Sequence, residues 1–145
     1  MKIRAAKKTA RRLLLPSLAG AAWLFAVWLS SGAPGAENAT VTPLVSKDLS
    51  SAAGKELSLI TVEYAPGGSD PVHTHHAQAL VYVLEGSIVM QVRGGAPTTL
   101  APGQTFYEGP DDVHIVGRNA SRTASAKFLV SLVKDKAAPM LIPVK

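Results

Sequence analysis

The chain has 145 residues, with 15 Lys and Arg against 10 Asp and Glu, four His and no cysteine. That length fits one domain, and the missing cysteine excludes disulfides, thiolate zinc sites and a cysteine nucleophile. Six basic residues (Lys2, Arg4, Lys7, Lys8, Arg11, Arg12) precede the first acid, Glu37, so the rest of the chain is close to neutral and nucleic acid is not an expected partner.

Residues 1–36 have the parts of an export signal: a basic start, an apolar run from Leu13 to Leu29, and the small-residue stretch SSGAPGA. Residues 13–33 are also long enough to cross a bilayer as a helix, which needs about 20 apolar residues. The expectation is therefore a hydrophobic helix acting as a cleaved signal peptide or as a signal anchor. The remainder is exported to the periplasm or exterior, or is held outside the cytoplasm by that one segment.

Residues 37–56 mix small, polar and turn residues and read as a linker, with an edge strand at 41–45, where Pro43 lacks a ladder donor. From 57 onward the pattern predicts β-structure. Strands are expected at 57–65, 79–84, 87–93, 98–101, 105–108, 113–116 and 126–133, with an edge strand at 140–144. PGGSDP at 66–71 reads as a turn, and Glu85-Gly86 as a hairpin turn between its flanking runs. No window after residue 36 predicts an amphipathic helix, so residues 57–145 are expected to form one all-β sandwich or small barrel.

Two imidazoles, His73 and His75, stand two residues apart, and side chains at that spacing share a face of an extended segment. With His114 from a later strand they offer three nitrogens to one divalent ion, leaving coordination positions open. His76 falls on the opposite face and is expected at the surface. Tyr82, Met90, Phe106 and Phe128 are expected in the core or pocket wall, Asp111 and Asp112 in a solvated turn, and Arg118, Asn119 and Arg122 at the rim. Asn38-Ala39-Thr40 and Asn119-Ala120-Ser121 match the glycosylation sequon.

With the strands placed, the two histidine segments resemble the two motifs of the cupin superfamily, over about residues 57–133. Gly67, His73, His75 and Gly86 stand in register with the first motif. Gly103 and His114 fit the second, in which Gly109 takes the proline place, Asp111 the glycine place, and Asn119 lies one residue late. The resemblance implies a single-domain jelly-roll β-barrel enclosing one transition metal ion, with Fe, Mn, Ni, Cu and Zn not distinguished. It also suggests a homodimer formed through edge or terminal strands such as 41–45 and 140–144. The position of the family's glutamate ligand is Ala79, so the implied ligand set reduces to His73, His75 and His114, unless Gln78 or Glu108 fills the fourth position.

Three neutral imidazoles leave the ion its full charge, which favours a small anionic, oxygen-donor ligand. Two functions fit. One is a metal-dependent, oxygenase-like or isomerase-like enzyme, with Glu108 as the catalytic candidate and His76 or a metal-bound hydroxide as other general bases. The other is a non-catalytic module that captures a small molecule or the metal. No sequence feature separates them.

Overall fold

A computed structural model describes residues 37–144, so the signal or anchor expected in residues 1–36 lies outside the described residues. Ten strands make up the fold: β1 Glu37–Asp48, β2 Lys55–Ser69, β3 His73–Thr74, β4 Gln78–Glu85, β5 Ile88–Val92, β6 Thr98–Leu100, β7 Thr105–Glu108, β8 His114–Asn119, β9 Ala126–Asp135 and β10 Ile142–Pro143. Among the described residues there is no helix. Every strand pairing is antiparallel.

The strands run β10-β3-β8-β2-β9-β4-β7, with β1 on the free side of β2 and β5 between β6 and β8, which curls the sheet into a nearly closed barrel. Alternation sets its inside. Ile60, Val62 and Tyr64 from β2, Val81 and Val83 from β4, and Phe128, Val130 and Leu132 from β9 are buried together. Tyr64 and Phe128 meet edge to face at 5.1 Å. The one charged side chain that β9 turns inward, Lys134, pairs with Glu56 at 2.5 Å and donates to Ala138 O.

Several expectations are corrected. The stretch read as a linker is mostly β1, twelve residues long and paired with β2 along its length. PGGS continues β2 rather than turning, because Ser69 pairs with both Glu37 and Arg118 and Gly67 N donates to Ser121 O. Glu85-Gly86 does not close a hairpin, since β4 pairs with β7 and β9 whereas β5 pairs with β6 and β8. The chain crosses there from one part of the sheet to another. Gly86 has φ 70°, and a Cβ on it would lie 2.6 Å from Ser125 O, so the glycine serves a close backbone approach.

Tyr82 faces outward, because Val81 and Val83 take the inward positions of β4. Asn119 is buried rather than at the rim, and its amide donates to the carbonyls of Tyr64, Ala65 and Ala124 while its oxygen accepts from Ser121 N. Its sequon is therefore closed in this fold. Of the segments expected to pair between copies, β1 has β2 on one side and β10 has β3.

Candidate metal centre

The two-residue strand β3 carries His73 and is followed at once by His75. It is flanked by β8 and β10, and His73 is the register partner of His114 on β8. That pairing joins residues far apart in sequence across one ladder step. Glu108 closes the set from β7, where it is the register partner of Ala79 on β4. Its side chain therefore leaves the sheet on the face where Ala79 is fully buried. Gln78, on the opposite face of β4, is exposed, as is His76, whose φ is 46°.

One ligand atom from each of His73, His75, Glu108 and His114 lies within 4.8 Å of all the others. The backbone fixes which ring atoms are free. His73 Nδ1 donates to Pro71 O at 2.7 Å, His75 Nδ1 donates to Met140 O, and His114 Nε2 donates to Val116 O at 2.6 Å. These donations leave lone pairs on His73 Nε2, His75 Nε2 and His114 Nδ1. The first two are 3.1 Å apart, and Glu108 Oε2 lies 3.6 Å from His75 Nε2 and 3.5 Å from His114 Nδ1.

Two acceptor lone pairs at 3.1 Å do not bond each other, and among the described residues the buried His114 Nδ1 has no hydrogen-bond partner. A cation resolves both problems. Ligands about 2.1 Å from a common ion sit roughly 3.0–3.4 Å from one another in octahedral or tetrahedral geometry. The 3.1 Å spacing falls in that range and the 3.5 and 3.6 Å spacings lie just outside it, so with small side-chain adjustments the residues fit a single transition metal ion.

Electrostatics agree with neutral ligands. Burial holds the imidazoles of His73 and His75 below the usual range and takes His114 down to about 4, with His73 beside it adding to the effect. Burial pushes Glu108 up to about 7, assisted by Asp70 and Asp112. The His–Glu contacts are thus not ion pairs in the metal-free chain.

The four residues line one end of a cavity of about 80 Å³ whose remaining wall is apolar except for Asp70. Val62, Met90, Phe128, Val130 and Met140 supply much of that wall. Asp70 accepts a short hydrogen bond from the hydroxyl of Tyr64, and Asp70 N donates to Gly117 O at 2.8 Å. Burial raises the Asp70 carboxyl above its ordinary range, opposed by the Tyr64 hydroxyl. Gly117 is tightly enclosed: a Cβ there would lie 2.9 Å from His114 Cε1 and 3.0 Å from the Tyr64 hydroxyl.

Sequence reasoning brought the three histidines together and named Glu108, but passed over Asp70, Tyr64, Gly117 and the Met140 carbonyl. Asp70 was hidden in a stretch read as a turn. The others depend on register between distant strands, which no local pattern displays.

A barrel of antiparallel strands with a buried cluster of three histidines and one glutamate that could hold a metal defines the class of protein. The family model described as a cupin domain matches residues 60–132, and the chain belongs to that family.

Among solved structures, the polyketide cyclase RemF from Streptomyces resistomycificus is 27% identical, with a TM-score of 0.60 over 77% of this chain and 75% of that one. An oxalate oxidase in complex with the substrate analogue glycolate is 23% identical, with a TM-score of 0.60 over 88% of this chain and 66% of its own. A cupin-2 domain from Rhodospirillum rubrum is 18% identical, with a TM-score of 0.58 over 78% and 69%. The curated rhicadhesin receptor of Pisum sativum is 34% identical over 74 residues, which are 48% of this chain and 34% of the receptor. The match thus spans about a third of that relative's length.

Proposed function

We propose that the barrel binds one divalent transition metal ion through His73, His75, Glu108 and His114, and that it is a metal-dependent enzyme acting on a small oxygen-donor molecule held in the adjoining cavity. The observation that carries this reading is the convergence of three fixed lone pairs and one carboxylate oxygen at a single buried point. When bound, the ion would polarise a ligand oxygen or provide a site for oxygen activation.

The chain's own residues account for the rest. The carbonyls of Pro71, Met140 and Val116 orient the rings, so little reorganisation accompanies loading. The apolar wall excludes water and strengthens electrostatic interactions inside. A cavity of about 80 Å³ is smaller than one of roughly 150 Å³ that admits benzene, which supports a ligand of only a few heavy atoms. Glu108 brings a negative charge to the site, so the reading from three neutral imidazoles alone overstated its pull on anions. The oxalate oxidase with bound glycolate, at 23% identity, supports the reading only through its shared fold.

Elemental analysis tests the centre. Close to one transition ion per chain is expected, lost in His73→Ala and in His114→Ala. Turnover assays with small hydroxy and keto acids then separate enzyme from binder, since bound acids recovered unchanged would make the domain a capture module. Export rests on the pattern of residues 1–36. Fractionation of cells carrying the full chain checks it, and a cytoplasmic domain would exclude it.

A further inference from the structure

One polar side chain in the cavity is left unexplained by the metal centre. Asp70 lines the same space as His73, His75, Glu108 and His114, among walls that are otherwise apolar. It is held from two directions, by the Tyr64 hydroxyl on Oδ2 and by the bond from its own backbone N to Gly117 O. Tyr64 itself is fully buried. Among the described residues, Oδ1 has no hydrogen-bond or ion-pair partner. A half-buried carboxylate in the wall of that cavity, braced on one oxygen and free on the other, can accept a hydrogen bond from an occupant of the cavity.

That arrangement selects among ligands. A hydroxyl that gives a lone pair to a metal ion becomes a stronger hydrogen-bond donor through its O–H, and an acceptor such as Oδ1 suits it. A second ligand carboxylate in the same place meets a like charge at close range in a low-dielectric space. The geometry points to Asp70, braced by Tyr64, as the residue that reads the ligand, and to a small hydroxy acid or enol as the ligand class, bound through oxygen at the centre with its O–H turned to Asp70, in preference to a dicarboxylate. This deepens the proposed function and rests on it.

The test uses the full chain loaded with Co²⁺, with glycolate and oxalate as probes, and reads metal content, the cobalt absorption spectrum and both dissociation constants by calorimetry. Asp70→Asn keeps the acceptor for Tyr64 and replaces the free oxygen by an amide donor. It is expected to leave one ion per chain while weakening glycolate and tightening oxalate, each by about tenfold, the scale of a hydrogen bond to a charged group. Tyr64→Phe, which releases the brace, is expected to move the ratio of the two constants in the same direction by a smaller factor.

If Asp70→Asn holds one ion and both constants stay unchanged or shift together, the assignment of Asp70 is overturned while the centre stands. If the wild-type chain takes up no ion, the centre fails and the inference fails with it.

Discussion

Ala79 on β4 and Glu108 on β7 are register partners, so a methyl group and a carboxyl group leave neighbouring strands side by side on the same inner face. In the motif that the sequence resembles, the glutamate's place falls on Ala79, and the carboxylate beside the histidines comes from the next strand, on Glu108.

The relocation predicts a pattern of loss and rescue. Glu108→Ala should weaken metal binding beyond the roughly 10–100-fold typical of losing a supporting outer group. The double variant Glu108→Ala with Ala79→Glu should recover part of that affinity. Ala79→Glu alone, with Glu108 intact, should cost about 3 kcal/mol of metal-free stability, because two buried carboxyls then compete for one place. Metal titration and chemical denaturation of the three proteins check this, and a double variant as weak as the single one would refute it.

Metal affinity should depend on pH through Glu108. Its carboxyl is raised to about 7, so below that pH the ion has to displace a proton. As pH falls from 7 to 5, affinity should drop about tenfold per unit, the slope for one displaced proton. His114, lowered to about 4, adds no competing proton in that window. Glu108→Gln should bind more weakly but show a flatter profile. Titrations across the range decide, and equal slopes for both proteins would contradict the assignment.

Gly117→Ala should damage the centre without unfolding the barrel. The new Cβ would press on His114 Cε1 and on the Tyr64 hydroxyl, and both groups are held by hydrogen bonds that resist displacement. A fall of about tenfold or more in metal affinity is expected, the scale of disturbing a ligand's supporting contacts, and calorimetry reads it directly. Wild-type affinity in this variant would show that the ring can shift freely.

Asn119 predicts a loss of stability without loss of ligands. The two hydrogens of its amide serve the carbonyls of Ala65 and Ala124, with Tyr64 O at 3.4 Å sharing one of them. Asn119→Ala should cost about 2–3 kcal/mol, since buried acceptors are left unpaired. Asn119→Asp should cost more, because an acceptor then faces acceptors. Urea denaturation ranks the two, and an equal or reversed order would argue against this role.

The fold and the three histidines were legible because their signals are local. Alternation exposed the strands, the spacing of His73 and His75 placed two rings on one face, and turn-rich segments marked where the chain had to reverse. What stayed hidden depends on pairing. Nothing within TFYE shows that Glu108 will sit opposite Ala79, and nothing within VLEGSI shows that Gly86 carries the chain between sheet regions instead of closing a hairpin. Asn119 misled because a polar residue next to an arginine resembles surface until its three carbonyl partners arrive from β2 and the following loop. PGGS misled because glycine and proline in a long strand look the same as in a turn.

The bare position at Gly117 touches both a ring that would grip the ion and the hydroxyl that steadies Asp70. Any descendant of this chain that fills it alters both at once, so the choice of guest and the hold on the cation are not free to drift apart by change at that spot. New preferences would have to arise elsewhere along the greasy wall, at positions such as Val81 or Val130.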